Sequence, residues 1–135
     1  MEAKHWDRHA KQYVEDIISP FADKKASEAI FDFASRFGSK SKTAADLGCG
    51  VGFLLPELSK RFKQVYAVDF SSGMIKNAKK NNKNVKNIVF EVGDLRKMKY
   101  KNKFDFAIAV NSILIPSVED INKSLKNIYN SIKKM

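Results

Sequence analysis

A glycine-rich segment, DLGCGVG at residues 46–52, follows a short apolar run and has the composition of a nucleoside-binding turn. Side chains at Gly48, Gly50 and Gly52 would occupy the ligand space or forbid the turn, so glycine is needed there. A dinucleotide-binding loop has the spacing G-x-G-x-x-G, which places a pyrophosphate at a helix N-terminus. Counted from Gly48, the third glycine comes one residue early and Phe53 takes its position. The spacing therefore argues against a nicotinamide dinucleotide.

Two acidic residues follow the next two predicted strands. Asp69 ends the second strand, where a carboxylate can accept hydrogen bonds from both ribose hydroxyls and disfavours a ribose phosphate. Gly93, Asp94 and Leu95 follow the third strand, where an acid or a neighbouring amide can bond the amino group of adenine. The alternatives are a polar strand end beside a helix cap for Asp69 and a simple turn for residues 93–95.

Four motifs occur in an order that resembles the class I S-adenosylmethionine (SAM)-dependent methyltransferases: DLGCGVG, the acid of AVDFS, GDL, and the strand FDFAIAVNSIL. The opening HWDRHAKQY resembles the N-terminal helix of the small-molecule branch that includes ubiquinone/menaquinone- and biotin-pathway enzymes. The resemblance spans nearly the whole chain. It implies SAM as cofactor, with S-adenosylhomocysteine (SAH) as product.

The resemblance also implies a role for each matching residue. Cys49 and Gly52 complete the glycine loop by their backbone, and Tyr13 closes over the cofactor or, equally, packs in the core. The implied contacts are the methionine moiety for Asp46, Gly48 and Gly50, the ribose for Asp69, the adenine face for Phe70 and Met74, the adenine edge for Gly93, Asp94 and Leu95, and the methyl group for Asn111.

No residue is singled out as catalytic, because the sulfonium of SAM already activates the methyl group and the protein mainly has to orient the acceptor. His5 and His9 could serve as acid or base, although exposed helix histidines are the commoner case. The segment Asn111-Ser112-Ile113-Leu114 lacks the (D/N)-P-P-(Y/F) motif of enzymes that methylate nucleobase or glutamine amino groups. The Cys49 thiol is expected to be inert, and no metal site is predicted.

Hydrophobic periodicity predicts alternating strands and helices, and hence an α/β fold with a doubly wound, mostly parallel sheet. The resemblance implies that this sheet is Rossmann-like, with the strand order 3-2-1-4. Two helices come first, one ending before Pro20 and one running from Asp23 to a left-handed stop at Gly38. The predicted strands are 43–47, 65–69, 88–92 and 104–110, and the predicted helices are 53–62, one capped by Ser71 or Ser72, and one capped by Ser117.

The chain of 135 residues is expected to form one domain, with N-terminal helices in 1–38 and a Rossmann-like core in 43–135. The resemblance implies a sheet of seven strands, so we expect this sequence to lack the final third of the fold. The edge of the fourth strand would then expose backbone groups that can pair with a partner chain or with a second copy.

The charge balance is strongly basic, with a formal net charge of +10. Clustered cations attract nucleic acid, but lysine greatly outnumbers arginine, and a base-composition bias would give the same Lys and Asn excess. No apolar run reaches the roughly 20 residues of a membrane span. The single cysteine and the polar N-terminus lead us to expect a cytoplasmic protein.

These observations predict a SAM-dependent methyltransferase that acts on a small-molecule acceptor. Two alternatives remain: a non-catalytic SAM-binding or interaction module, suggested by the missing strands, and an RNA methyltransferase, suggested by the basic surface.

Overall fold

The computed structural model describes residues 24–110 and 117–134. The predicted helix before Pro20 lies outside these residues. The described helices and strands are, in chain order, α1 (Lys24–Phe37), β1 (Thr43–Leu47), α2 (Leu55–Arg61), β2 (Gln64–Asp69), α3 (Ser72–Asn81), β3 (Ile88–Val92), β4 (Phe106–Ile108) and α4 (Val118–Ser131). None of the helices described is long and apolar enough to cross a membrane.

The four strands form one parallel sheet in the order β3-β2-β1-β4, which confirms the predicted topology. Asp46 lies beside Ala67 on β2 and beside Ile108 on β4. Because all strands run the same way, their carboxyl ends meet at one edge of the sheet. The glycine loop, Asp69 and Gly93 all lie at that edge, where α/β sheets of this type bind ligands.

Alternating residues of the central strand pack into two separate cores. Ala44 belongs to a cluster on the face that α1, α2 and α3 cover, whereas Ala45 belongs to a cluster with residues of α4 and of the segment before β4. Both alanines are fully buried, as expected for a strand covered on both faces. The sheet is therefore doubly wound over the described residues.

Two serine caps fix where helices α3 and α4 begin. Ser71 Oγ accepts the N–H of Met74 at 3.1 Å, so Ser71 rather than Ser72 is the N-cap of α3. Ser117 Oγ accepts the N–H of Asp120 at 3.4 Å and caps α4 as predicted. The cap of α3 directly follows Asp69 and Phe70, so it also fixes the start of the helix beside the carboxyl end of β2.

The predicted left-handed stop at Gly38 is wrong, because the glycines with positive φ among the described residues are Gly48, Gly50 and Gly52. Gly38 meets a different requirement. A Cβ at this position would lie 2.9 Å from the Cβ of Arg61 and 3.1 Å from the carbonyl oxygen of Ala34. Glycine is therefore needed here so that the end of α1 can pack closely against the end of α2.

Strand β4 is shorter than the predicted 104–110. Phe104 forms instead an isolated parallel bridge with Ile132, and the Lys133 N–H donates to the Phe104 carbonyl at 2.8 Å. The chain that leaves α4 thus turns back along the segment before β4. The ladder between β4 and β1 is limited to Phe106–Ile108.

Candidate functional site

The glycine loop has a backbone that requires glycine at three positions. Gly48, Gly50 and Gly52 have φ values of 83°, 56° and 83°, a left-handed region that other residues rarely adopt. Gly52 is also enclosed, since a Cβ there would lie 2.7 Å from Nδ2 of Asn82 and 3.0 Å from Cδ1 of Leu55. The loop is therefore a closely packed turn between β1 and α2.

Four amides of this loop are bonded within the protein. The hydrogen bonds run from Gly48 N to Val68 O at 2.7 Å, from Cys49 N to Val68 O at 3.0 Å, from Gly50 N to Asp69 Oδ2 at 2.9 Å, and from Gly52 N to Cys49 O at 3.0 Å. A loop that cradles phosphate directs its N–H groups at the anion. This loop uses three of those groups to attach itself to the end of β2, and the fourth, from Gly52, bonds within the loop.

Asp69 joins the ends of three strands. Its side chain is buried, with Oδ2 accepting the N–H of Gly50 at 2.9 Å and Oδ1 accepting the N–H of Ser71 at 2.9 Å. Its main-chain carbonyl accepts the N–H of Gly93 at 2.8 Å. The sequence also allowed a second possibility for Asp69, a polar strand end beside a helix cap, and the structure contains that arrangement too. One carboxylate positions the glycine loop and the start of α3 together.

Asp46 places a second buried carboxyl group beside this loop. The side chain is 2% exposed, and burial, followed by the negative charge of Asp69, raises its pKa to about 7. The site thus contains two acids whose mutual repulsion a cationic ligand would relieve. A pyrophosphate would instead bring more negative charge beside these two acids.

Cys49 lies between the two acids in sequence and is buried in the structure. Burial, and then the charges of Asp46 and Asp69, raise the pKa of its thiol far above the usual range. The thiol therefore stays protonated at neutral pH, and the contribution of Cys49 to the loop comes from its backbone.

On the other side of the site, Asp94 is held by an arginine. Arg96 Nε lies 3.0 Å from each oxygen of Asp94, Arg96 Nη2 lies 2.6 Å from Oδ2, and the Arg96 N–H donates to Oδ1 at 2.9 Å. These hydrogen bonds lower the pKa of Asp94, which stays ionised. Leu95 is 8% exposed and packs in the core on the α4 side of the sheet.

The two residues predicted for the adenine face differ in exposure. Phe70 is half-buried at the end of β2, whereas Met74 is 1% exposed. Met74 lies in the first turn of α3, and its buried side chain presents little surface; its contact with adenine stays a prediction. Phe70 is thus the better placed of the two. Tyr13, Asn111, His5 and His9 lie outside the described residues.

Two asparagines that the sequence analysis treated as compositional contact the glycine loop. Asn81 Nδ2 donates to the carbonyl of Val51 at 3.0 Å, and Asn82 Nδ2 donates to the carbonyls of Gly52 at 3.2 Å and Ala78 at 3.0 Å. Asn82 is 3% exposed. The contacts span about 30 residues of sequence, and within a Lys/Asn-rich segment no local signal separates these asparagines from their exposed neighbours.

A cavity of about 320 Å³ adjoins the predicted adenine edge. It shares Gly93 and Asp94 with that edge, and no residue of the glycine loop lines it. Its lining consists of Val68, Glu91, Gly93, Asp94, Lys97, Met98, Lys99 and Tyr100.

Comparison with known proteins gives a family match over the core. The family model of the methyltransferase domain matches residues 44–135. A malonyl-[acyl-carrier protein] O-methyltransferase of Priestia megaterium is 26% identical over 132 residues, which cover 96% of this chain and 46% of that protein. A ribosomal protein L11 methyltransferase of Helicobacter hepaticus is 39% identical over 82 residues, 56% of this chain and 26% of that protein. The chain spans less than half the length of these curated relatives.

Solved structures share the fold. Phosphoethanolamine N-methyltransferase 1 of Haemonchus contortus, in complex with phosphoethanolamine and SAH, matches with a TM-score of 0.79 at 19% identity, over 96% of this chain and 29% of that chain. The N-methyltransferase NodS of Bradyrhizobium japonicum, in complex with SAH, matches with a TM-score of 0.76 at 12% identity, over 94% of this chain and 67% of that chain. At these identities the similarity concerns the fold.

Proposed function

This chain belongs to the methyltransferase domain family, and on that premise we propose that it binds SAM across the carboxyl ends of β1, β2 and β3 and transfers the methyl group to a small-molecule acceptor. We propose that residues 1–135 form one domain, with N-terminal helices in 1–38 and a Rossmann-like core in 43–135. The cytoplasm is the compartment we propose, because a chain with a single cysteine forms no internal disulfide and so suits a reducing environment.

The observation that carries the proposal is the acid pair at the glycine loop. Asp46 and Asp69 are both buried there, and the charge of Asp69 contributes to the raised pKa of Asp46. SAM brings an ammonium group, which suits the buried carboxylate of Asp46, and ribose hydroxyls, which can donate hydrogen bonds to Asp69. A dinucleotide would bring a pyrophosphate, and three of the loop amides, those of Gly48, Cys49 and Gly50, are already bonded to Val68 or Asp69. The buried carboxylates and the bonded loop amides therefore suit SAM better than a dinucleotide.

Each residue of the site receives a proposed contact. Asp46 and the backbone of Gly48, Cys49, Gly50 and Gly52 would hold the methionine moiety, and Asp69 the ribose. Phe70 and, with less exposed surface, Met74 would cover the adenine face, and Gly93, Asp94 and Leu95 would border its edge. Tyr13 and Asn111 keep their predicted places over the cofactor and beside the methyl group.

When bound, SAM supplies an electrophilic methyl group that needs no further activation by the protein. The residues of this chain hold the glycine loop in place and thereby orient the cofactor. Asp69 fixes the Gly50 amide, and Asn81 and Asn82 fix the carbonyls of Val51 and Gly52 from the far end of α3. A loop held from both sides keeps the cofactor in one orientation, and orientation of two reactants can lower a barrier by several kcal/mol.

Malonyl thioesters are the first acceptors to test, because the Priestia relative is named as a malonyl-[acyl-carrier protein] O-methyltransferase. The experiment incubates the chain with SAM and a panel of acceptors, including a malonyl thioester and transfer RNA, and measures SAH. We expect SAH formation that depends on a small-molecule acceptor. SAH binding without turnover on any acceptor would favour the alternative function, a non-catalytic SAM-binding module, and turnover on transfer RNA alone would favour an RNA methyltransferase.

The outer edge of β4 is the proposed contact with another chain. In the described sheet β4 is the last strand. The backbone of Ile132 and Lys133 bonds to Phe104, and Lys133 Nζ lies 3.4 Å from Oδ2 of Asp105, both ahead of the ladder. Unpaired strand edges bind further strands, so we propose that a partner chain or a second copy pairs with Phe106–Ile108. Light scattering of the purified chain tests the second copy: a monomer at all concentrations would exclude it.

A further inference from the structure

Arg96 occupies a bridging position between the loop after β3 and helix α4. Its guanidinium forms the bidentate pair with Asp94 described above, and Nη1 lies 3.4 Å from Oδ2 of Asp120, in the first turn of α4. The two acids are 23% and 29% exposed in their side chains. Isolated surface ion pairs contribute little, but a bidentate arginine within a network of charges fixes geometry.

A second contact attaches the same loop to the same helix. Asn127 Nδ2 donates to the carbonyl of Leu95 at 2.9 Å, two turns along α4 from Asp120. The loop after β3 therefore contacts α4 at two points, Asp120 and Asn127.

We propose that Arg96 is a positioning residue that sets the Asp94 carboxylate to accept a hydrogen bond from the 6-amino group of adenine, and that Asp120 anchors it from α4. The inference rests on the proposed function, because it concerns the adenine half of SAM. An ionised carboxylate is an acceptor only, so it matches an amino group and repels a carbonyl oxygen at the same position. Without the Arg96 guanidinium the carboxylate keeps the hydrogen bond from the main-chain N–H of residue 96 but loses the bidentate pair, so it is held less firmly and this discrimination weakens.

The test is the ratio of affinities for two ligands, measured by calorimetry on the full chain. The ligands are SAH and S-inosylhomocysteine, in which a carbonyl oxygen replaces the 6-amino group. Wild type should prefer SAH strongly, since a site built to bond an N–H group rejects a ligand that lacks it. Arg96→Gln should reduce the preference by about tenfold, and Arg96→Lys, which retains charge but not the bidentate geometry, should reduce it less. Asp120→Asn should give an intermediate loss.

Arg36→Gln is the matched control, because Arg36 forms an exposed ion pair with Asp32 on α1. The ratio of its affinities for SAH and S-inosylhomocysteine should equal that of wild type. Thermal unfolding of each variant verifies folding, which the exposed side chain of Arg96 should leave intact. A ratio unchanged in both Arg96 variants, or a wild type that binds the two ligands equally, overturns the inference while SAH binding stands. Absence of SAH binding in wild type would instead overturn the proposed function.

Discussion

The side-chain amide of Asn82 donates a hydrogen bond to the main-chain carbonyl of Gly52, with 3.2 Å between Nδ2 and O. The same Nδ2 lies 2.7 Å from the place where a Cβ on Gly52 would stand. The last turn of α3 and the glycine loop therefore specify each other. Asparagine supplies the donor, and glycine leaves the space that this donor needs.

Asn82→Ala should loosen the loop. It removes buried hydrogen bonds to Gly52 and Ala78, so we expect a loss of about 1–3 kcal/mol in the free energy of unfolding and weaker SAH binding. Urea unfolding and calorimetry measure the two effects. Asn84→Ala, an exposed asparagine of the same segment, is the control. Equal stability and affinity in the two variants would contradict the role of Asn82.

Ser71→Ala should destabilise the start of α3. The hydroxyl of Ser71 is the N-cap acceptor for the N–H of Met74, and loss of such a cap costs about 1 kcal/mol. Ser72→Ala, one residue on and exposed, should change the free energy of unfolding by less than about 0.5 kcal/mol. Chemical denaturation of the two variants compares them. A larger loss for Ser72→Ala would show that the cap is misassigned.

Asp46→Asn should stabilise the ligand-free protein, and more so at higher pH. Burial raises the pKa of Asp46 from 3.8 to about 7, so between these values the folded chain holds a proton that the unfolded chain has released. The free energy of unfolding therefore falls as pH rises from about 4 to about 7. The amide does not ionise and avoids this loss. Denaturation at pH 5 and pH 8 should show a gain over wild type that grows with pH, and a gain independent of pH would contradict the assignment.

The affinity of wild type for SAH should change with pH in the opposite sense. The ionised Asp46 attracts the ammonium group of the ligand, so binding at pH 6 should be about tenfold weaker than at pH 8, given a pKa of about 7 in the free protein. Asp46→Asn should bind weakly at both values. Calorimetry from pH 6 to pH 8 measures how SAH affinity changes with pH. A wild-type affinity that does not change with pH would show that Asp46 does not contact the ammonium group.

The features that the sequence predicted well are those set by neighbouring residues. The bounds of β1 and β3 follow from short apolar runs, and the cap at Ser117 follows from its place before two acids. The glycine loop could be predicted because its three left-handed residues are glycines within five positions. The sheet order followed from the resemblance once the alternating elements were recognised.

The features that the sequence did not predict depend on contacts distant in the chain. Gly38 is needed because the side chain of Arg61 lies close to it, and Asn82 is needed to bond the carbonyl of Gly52. Arg96 joins Asp94 to Asp120. Strand β4 is shorter than its apolar run, and Phe104 instead bridges Ile132. Residue types alone do not indicate which of many asparagines or lysines lies against the site, because that depends on how the helices return to the sheet.

The most direct measurement of the central claim is the affinity of SAH for wild type and for Asp69→Asn. Asp69 accepts hydrogen bonds from the N–H groups of Gly50 and Ser71. In Asp69→Asn the side-chain NH2 would face one of these N–H groups, so one hydrogen bond would be lost. With Asp32→Asn on the exposed face of α1 as control, we predict that wild type and control bind SAH alike. Because hydrogen bonds to a charged group contribute about 1.5–3 kcal/mol, Asp69→Asn should bind at least about tenfold more weakly. No binding of SAH to wild type at millimolar concentration, or equal affinity in Asp69→Asn, would contradict the account.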